Sequence, residues 1–295
     1  MDILLTGATG YIGSHVLTAL TGAGHTVTAV VRSEQAAAKV KSDRVNAIVG
    51  AVDDEAFLVE LLRRCEGAIH TASTGDAKAA DFDAAVVAAV RSAFTGTGKP
   101  YAHIAGLWEW GSNSTVAEDE PFNPPAIVAW RPALTEQALA IEGARVSIVN
   151  SAMVYGDGGG SAAGLIAGAP RDSAGNLTTV GSGRQHWCTV HAADVAELFR
   201  LVIETPTARG RFIAASGVNP TVRELTEAAA RAIGAPGVVS ETDEATTARL
   251  GDYLAEALLL DQQATGAKAH SELGWTPHGP SLLEELEFGS YAPKA

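Results

Sequence analysis

The apolar residues of the first 150 positions fall into short runs that alternate with segments of helical periodicity. Short apolar runs bounded by glycine or polar residues are typical of buried strands, and apolar residues three and four positions apart indicate helices. The runs predict strands at Ile3–Leu5, Thr26–Val31, Val45–Val49, Gly67–Thr71, Pro100–Ile104 and Arg145–Val149. The segments between them predict helices, among them 55–65, 81–95 and 126–140, the last interrupted by Arg131-Pro132. Strands and helices that alternate in this way predict an α/β protein with a doubly wound parallel sheet.

Beyond residue 150 this alternation ends. A glycine-rich loop (Gly156–Gly160), a strand and turn (Leu177–Gly183), a helix (His191–Glu204) and a late strand (Arg211–Ala214) follow, and a capped helix after Thr221 precedes two or three closing helices. The chain shows no internal repeat and no clear linker. We therefore expect one cooperative unit of two lobes, with the sheet over residues 1–150 and a smaller lobe over 151–295, some of whose segments return to the sheet domain.

Composition and charge narrow the classes of partner. The 295 residues carry a net charge of −13, which disfavours nucleic acid and anionic membranes. Cys65 and Cys188 are too far apart in sequence for a disulfide framework or a metal-ligand pattern. No apolar run approaches the roughly 20 residues that span a bilayer. Because the first strand starts at residue 3, we expect no cleavable signal and a cytoplasmic protein.

The first strand runs directly into Thr6-Gly7-Ala8-Thr9-Gly10-Tyr11-Ile12-Gly13, and apolar residues at helical spacing follow. The unpaired N–H groups and positive dipole end of a helix N-terminus form a seat for a pyrophosphate. In such a turn Gly7 permits the bend, Gly10 lets the backbone approach the phosphates, and Gly13 lets helix and strand pack closely. The predicted contacts are Gly7, Thr9, Gly10, Tyr11, Ile12 and Gly13. The motif predicts a dinucleotide site; the alternative is a glycine-rich turn in another α/β protein.

The end of the second strand predicts which dinucleotide is bound. An acidic residue there selects NAD through the ribose 2′-hydroxyl, whereas an arginine accepts the 2′-phosphate of NADP. This strand ends at Arg32, whose guanidinium suits a phosphate, so the sequence favours NADP(H). The alternatives are a solvated surface arginine and an influence of Glu34, two residues further on.

Five ordered segments resemble the extended short-chain dehydrogenase/reductase superfamily, often labelled NAD-dependent epimerase/dehydratase. They are Thr6–Gly13, Ile69–Ser73, Met153–Gly156, Val190–Ala196 and Leu273–Pro277. The resemblance implies a Rossmann-type, NADP-binding domain over 1–150 and a smaller C-terminal substrate-binding lobe over 151–295. It also implies cofactor contacts at Val52, Asp53, Thr71, Ala72, Ser73, Ser151 and Met153. Ala51 stands where the superfamily has an aspartate, so we expect adenine recognition by the Val52 backbone and Asp53.

The catalytic segment departs from the superfamily pattern. Members carry a serine or threonine at the end of the fifth strand and a Tyr-x-x-x-Lys on the next helix. Alignment on Glu136 places Ala105 at the serine, Trp130 at the tyrosine and Leu134 at the lysine. No tyrosine of the chain has a lysine four residues later. The sequence therefore predicts a site without the usual proton-handling residues.

Other side chains are candidates for the missing functions. Tyr155 follows the sixth strand and His186 lies in a loop that would cover the substrate; the alternatives are packing of Tyr155 and simple exposure of His186. His103 is expected in the core, His191 at a structural helix start, and Glu109 as an exposed loop carboxylate that would otherwise orient a cationic substrate. The predicted substrate pocket consists of Trp108, Trp110, Trp130 and Trp187.

Two functions remain open at this point. The first is an NADP(H)-dependent oxidoreductase of atypical mechanism that reduces an imine, an activated double bond or a carbonyl of a hydrophobic small molecule. The second is a redox-silent NADP(H)-binding sensor or regulator. An enclosed apolar pocket at the nicotinamide end would favour the enzyme. We also expect no metal, and a homodimer formed through the helices at 81–95 and 126–140 if the habit of the superfamily holds.

Overall fold

The computed structural model describes residues 1–293. The first half of the chain contains β1 (Asp2–Thr6), α1 (Tyr11–Gly22), β2 (Thr26–Val31), α2 (Glu34–Val40), β3 (Val45–Val49), α3 (Glu55–Arg64), β4 (Gly67–His70), α4 (Ala79–Phe94), β5 (Pro100–Gly106), a 3-10 turn (Leu107–Trp110), β6 (Asn113–Val116), a second 3-10 turn (Ala126–Val128), α5 (Arg131–Leu139) and β7 (Arg145–Ser151). Helices and strands alternate here as predicted.

The second half is less regular. It contains β8 (Met153–Gly156), α6 (Gly160–Ala162), which continues as a π turn (Ala163–Ala167), β9 (Leu177–Thr178), β10 (Thr189–His191), α7 (Ala192–Glu204), β11 (Gly210–Ala214), α8 (Val222–Ala232), β12 (Val238–Val239), α9 (Asp243–Leu250), α10 (Asp252–Leu258), β13 (Gln262–Ala264), α11 (Ala267–Leu273) and α12 (Leu282–Glu287). Four helices, α9 to α12, close the described chain where two or three were predicted.

A seven-stranded sheet in the order β3-β2-β1-β4-β5-β7-β11 forms the centre of the molecule, and every neighbouring pair in it is parallel. The sheet contains the six predicted strands, and β11 from the second half adds the seventh at the edge beside β7. The predicted doubly wound fold is confirmed. Among the described residues, no helix is long and apolar enough to cross a membrane.

Alternation along β1 shows how the sheet is covered on both faces. Ile3 and Leu5 pack into one apolar cluster with residues of α1 and α7, whereas Leu4 packs into a second cluster with residues of α3, α4 and α5. Since all strands are parallel, their carboxyl ends meet along one edge, where ligands of such sheets bind.

The segment over 126–140 differs from the single helix that its apolar residues suggested. A 3-10 turn ends at Val128, and α5 begins at Arg131 with Pro132 in its first turn. Proline is well tolerated there because the first N–H groups of a helix have no partner within the helix. The proline therefore marks the start of the helix and does not interrupt it.

Candidate functional site

The loop between β1 and α1 brings the backbone close to its neighbours. Gly7 has a φ of +81°, and a Cβ there would lie 2.7 Å from the Ala72 nitrogen. A Cβ on Gly13 would lie 2.0 Å from the Gly7 oxygen. No side chain caps α1, which begins directly after Gly10. The first N–H groups of α1 are therefore available to an anion that approaches the loop.

This loop forms the floor of a cavity of about 650 Å³, here called the glycine-loop cavity. Its lining contains eleven of the predicted contacts, namely Gly7, Thr9, Gly10, Tyr11, Ile12, Arg32, Val52, Asp53, Thr71, Ala72 and Ser73. Gly13 packs underneath, against the Gly7 carbonyl. Residues from the ends of β1, β2, β3 and β4 thus meet at one elongated cavity, as the carboxyl ends of parallel strands should.

A second cavity of about 380 Å³, here called the inner cavity, adjoins the first and shares Tyr11, Ile12, Thr71 and Ser73 with it. Apolar side chains dominate its remaining lining, which consists of Ile104, Ala105, Gly106, Leu107, Trp108, Glu109, Val128, Arg131, Ser151, Ala152, Met153, Val154, Gly160, Ser161, Trp187, Cys188, Leu260 and Gln262. Ser151 and Met153, predicted as cofactor contacts, lie in this inner cavity.

Two of the four predicted pocket tryptophans line the inner cavity, Trp108 and Trp187. Trp110 does not, because its ring is buried against Phe122 and its indole N–H donates to the Glu120 carbonyl at 3.1 Å. Trp130 packs against the core on the α4 and α5 side of the sheet. The assignments of Trp110 and Trp130 to the pocket are therefore wrong.

Neither predicted proton donor reaches the inner cavity. The Tyr155 hydroxyl donates to the Pro280 carbonyl at 2.8 Å, and its side chain is buried in an apolar cluster with residues of α8 and α12. His186 lies 2.9 Å from Asp261 through Nδ1 and Oδ1, on the outer side of its loop. Trp187, the next residue, is the one that faces the cavity. The prediction that Tyr155 and His186 donate protons in the inner cavity is therefore wrong.

The segment before α5 also presents different residues from those the alignment selected. Ala105 lines the inner cavity as expected, but Leu134 is buried in the core and Trp130 lies beside it. Val128 and Arg131 face the cavity in their place. The lining contains no lysine, and the hydroxyl of its one tyrosine, Tyr11, donates to the Gly156 carbonyl at 2.7 Å.

Glu109 was expected to be an exposed loop carboxylate, and this expectation is wrong. Its side chain is 0% exposed, at the base of the inner cavity just after β5. Oε1 accepts from the Gly106 N–H at 3.4 Å and from Asn150 Nδ2 at 3.3 Å, whereas Oε2 has no hydrogen-bond partner among residues 1–293. Burial raises the pKa of Glu109 above its usual value, and the charges of Arg211 and Arg131 oppose the rise.

Behind Arg131 lies a buried polar cluster that sequence reasoning did not find. Arg131 Nη1 lies 3.7 Å from Asp83 Oδ2, and the Asp83 carboxylate is also faced by His70 Nε2 at 3.2 Å and His103 Nε2 at 3.7 Å. Burial alone would raise the pKa of Asp83, but the two histidines outweigh it and hold that pKa well below the usual range. The hydroxyl of Tyr101 lies 2.7 Å from His103 Nδ1. Asp83 is thus a carboxylate that holds Arg131 at the cavity.

His103 makes the stability of the fold depend on pH. Burial lowers its pKa to about 4; the Asp83 carboxylate opposes this, and His70 and Arg131 reinforce it. Between pH 7 and 5 the unfolded chain gains a proton at this position that the folded chain does not. We expect this group to lower the free energy of unfolding by about 2 kcal/mol over that interval.

Denaturant unfolding at pH 7 and pH 5 measures this effect. His103→Gln should show a smaller loss of stability between the two pH values than the unmodified chain. The exposed His278 provides the control, since His278→Gln should keep the full loss. Equal pH dependence in all three chains would contradict the assignment to His103.

Comparisons with known proteins agree with this architecture. The model of the NmrA-like family matches residues 1–94. The chain is 29% identical to the protein C2A9.02 of Schizosaccharomyces pombe over 99% of this chain and 100% of that one. The human epimerase family protein SDR39U1, crystallised with NADPH, superposes with a TM-score of 0.73 at 18% identity, covering 98% of this chain and 99% of that chain.

A second solved structure is the UDP-glucose 4-epimerase of Thermus thermophilus in complex with NAD. It superposes with a TM-score of 0.74 at 19% identity and covers 99% of each chain. At these identities the structures show the fold, and the full-length relative and the family model add similarity in sequence. Together they confirm the predicted resemblance of this chain to the extended short-chain dehydrogenase/reductase superfamily, the NAD-dependent epimerase/dehydratase group.

Proposed function

We propose that this protein is an NADP(H)-dependent oxidoreductase that reduces a carbonyl, imine or activated double bond of a hydrophobic small molecule without a Tyr–Lys pair. One observation carries the proposal: an apolar inner cavity adjoins the glycine-loop cavity and contains a buried acid, Glu109. A cavity of about 380 Å³ suits a small organic molecule. The half-enclosed, apolar site favours the enzyme over the redox-silent sensor.

The residues present fit a nicotinamide dinucleotide. Because Gly7 and Gly13 have no side chains, the loop backbone is accessible to a phosphate group. The N-terminus of α1, which no side chain caps, is suited to a pyrophosphate. Arg32 lines the same cavity and offers its guanidinium to a 2′-phosphate, which supports NADP(H) over NAD(H). Such a cofactor would supply the hydride for reduction. The human neighbour was crystallised with NADPH, which is consistent with this choice.

Glu109 can supply the proton that the tyrosine of the Tyr-x-x-x-Lys pair supplies in other members of the superfamily. A carbonyl that accepts a hydride at carbon needs a proton at oxygen, and burial raises the pKa of the Glu109 carboxyl group, which favours the protonated form that can donate one. Trp108 and Trp187 exclude water and hold an apolar substrate body against this acid. After the reaction Glu109 regains its proton from solvent as the product leaves.

Turnover and binding separate the enzyme from the sensor. The purified protein should bind NADPH and oxidise it in the presence of at least one member of a panel of hydrophobic ketones, cyclic imines and enones. Oxidation is followed at the absorbance of NADPH, and product is identified by mass spectrometry. Tight binding of NADPH without turnover on any of the three classes would favour the redox-silent function.

Arg32 should determine the choice between the two dinucleotides. Because Arg32 is exposed, we expect Arg32→Ala to raise the Kd for NADP+ by about tenfold and to leave the Kd for NAD+ unchanged. Isothermal titration calorimetry with both cofactors measures this. Arg63→Ala, which removes an exposed arginine on α3 outside the cavity lining, is the matched control and should change neither value.

The expected location in the cytoplasm and the expected homodimer through α4 and α5 stay predictions. These two helices lie against each other at the surface, where the Arg91 guanidinium donates to the Gln137 carbonyl at 2.7 Å. Sedimentation of the purified chain measures the oligomeric state.

A further inference from the structure

Arg131 is the cation of the inner cavity, and its hydrogen-bonding capacity is unused. Its side chain is 18% exposed and lines the cavity, yet its guanidinium donates no hydrogen bond to any residue within 1–293. Its protein contacts are the Asp83 carboxylate at 3.7 Å and the Trp130 ring, whose centroid lies 4.5 Å from the guanidinium carbon. A guanidinium presents five donors in a planar fork, so a largely buried one that makes no hydrogen bond is suited to a ligand with paired oxygens.

The rigid placement of Arg131 supports this interpretation. Asp83 holds the guanidinium from behind, and Asp83 itself is held by His70 and His103. The Trp130 ring packs beside the guanidinium, with its centroid 4.5 Å from the guanidinium carbon. A side chain held in this way loses little conformational entropy when it binds a ligand. In addition, no side chain caps the N-terminus of α5, where Arg131 is the first residue, so the helix dipole adds to the positive potential.

The other groups of the inner cavity define the rest of the ligand. Trp108, Val128, Met153, Trp187 and Leu260 contribute an apolar surface. Glu109 is buried, and its Oε2 accepts no hydrogen bond but faces Arg211 Nη1 at 3.7 Å; when protonated, the carboxyl group can donate to a carbonyl oxygen. The cavity therefore combines an apolar wall, a cation and an acid.

We infer that the inner cavity takes a hydrophobic keto acid, whose carboxylate is bound by the Arg131 fork and whose carbonyl oxygen faces Glu109. This inference rests on the proposed reductase function and names the substrate class. Reduction of such a compound consumes NADPH and one proton and yields the hydroxy acid and NADP+. The apolar wall accommodates the body of the acid, and Arg131 selects charged acids over their neutral esters.

Binding of matched acids and esters tests the inference. The probes are pyruvate, 4-phenyl-2-oxobutanoate and 4-(2-naphthyl)-2-oxobutanoate, each with its methyl ester, titrated calorimetrically into the full chain saturated with NADP+. We expect at least one aromatic acid to bind about tenfold or more tightly than its ester, the range of a charge-assisted bidentate contact. Pyruvate, which lacks the apolar body, should bind more weakly than both aromatic acids.

Variants of Arg131 complete the experiment. Arg131→Gln should abolish the preference for the acid, and Arg131→Lys, which keeps the charge but loses the fork, should retain part of it. Arg184→Gln, an exposed arginine in a loop outside both cavity linings, is the control and should keep the full preference. Thermal unfolding of each variant shows that it is folded.

The outcomes distinguish this inference from the proposed function. Absence of any preference for the three acids over their esters, including absence of binding, overturns the inference. A preference for the acid that survives in Arg131→Gln also overturns the inference. If that variant keeps the preference and loses tenfold in NADP+ affinity, Arg131 belongs to the cofactor site and the inference fails as well. If NADPH is oxidised with neutral ketones or esters as readily as with acids, the reductase function stands and the inference fails. If NADPH does not bind, the proposed function fails.

Discussion

Replacement of Glu109 by glutamine is expected to lower the turnover number for NADPH-dependent reduction by about a hundredfold to ten-thousandfold, the usual contribution of a general acid. The amide has nearly the same shape and can still accept from the Gly106 N–H and from Asn150, but it has no proton to give to a substrate oxygen. The Kd for NADPH should stay unchanged, because Glu109 does not line the glycine-loop cavity. Steady-state kinetics and calorimetry measure the two quantities.

The pH profile provides a second, independent readout of the same group. An acid that must be protonated makes the turnover number fall as pH rises through its pKa, and burial raises the pKa of Glu109 above its usual value. The unmodified enzyme should therefore lose activity on the alkaline side, and Glu109→Gln should lose this dependence together with most of its rate. A profile with the same alkaline limb in both proteins would assign the limb to another group.

Glu120→Gln is the matched control for charge. Glu120 lies eleven residues further along the chain, its side chain is exposed, and it is outside both cavity linings. It should keep the turnover number within about twofold, as expected for a surface substitution away from the site. Equal losses in Glu109→Gln and Glu120→Gln would contradict the role of Glu109 as the acid. Thermal unfolding of both variants excludes a loss that comes from misfolding.

The sequence was sufficient to predict the sheet domain and its glycine loop, because the signals there are local. Each buried strand is one apolar run, and the motif from Gly7 to Gly13 contains its whole function within seven residues. Arg32 could likewise be placed because it follows a strand directly. The carboxyl ends of parallel strands meet at one edge of the sheet, so the positions of the strands already bring these contacts together.

The inner cavity was harder to predict, because it depends on which face of a turn each side chain occupies. Trp108 and Trp110 are two residues apart in one 3-10 turn, and only Trp108 reaches the cavity. Glu109 lies between them, and because it is charged the sequence suggested that it is exposed at the surface. The signal that could have identified it is its position in the apolar segment Leu107–Trp110, two of whose residues, Leu107 and Trp110, pack into the core.

Long-range contacts account for the remaining errors. The Tyr155 hydroxyl donates a hydrogen bond to the carbonyl of Pro280, 125 residues further on, and no local pattern in the sequence shows this contact. His186 contacts Asp261, 75 residues further on, and this contact is equally invisible in the local sequence. Arg131 is the first residue of α5, just before Pro132, and its side chain lines the cavity. Alignment on Glu136 selected Trp130 and Leu134, whereas Val128 and Arg131 line the cavity.

Replacement of Gly13 by alanine is expected to cost about 3 kcal/mol of unfolding free energy, at the upper end of what added volume costs in a packed region. The new Cβ would lie 2.0 Å from the Gly7 oxygen and 2.8 Å from Thr71 Oγ1. The Gly7 carbonyl and the Thr71 side chain, which directly follows β4, cannot both move aside. We therefore expect α1 to move away from the loop. The N–H groups of α1 would move with it, and the affinity for NADPH should fall with the stability.

Gly22→Ala is the matched control, because it makes the same chemical change in the same helix. Gly22 is in the last turn of α1, and a Cβ there would have nothing within 4 Å. Alanine has the higher helix propensity, so this variant should be as stable as the unmodified chain or more stable by about 0.5–1 kcal/mol, with unchanged NADPH binding. Denaturant unfolding and calorimetry compare the three chains. If Gly13→Ala matched Gly22→Ala in both measurements, the close approach of α1 to the loop would not be what holds the dinucleotide site together.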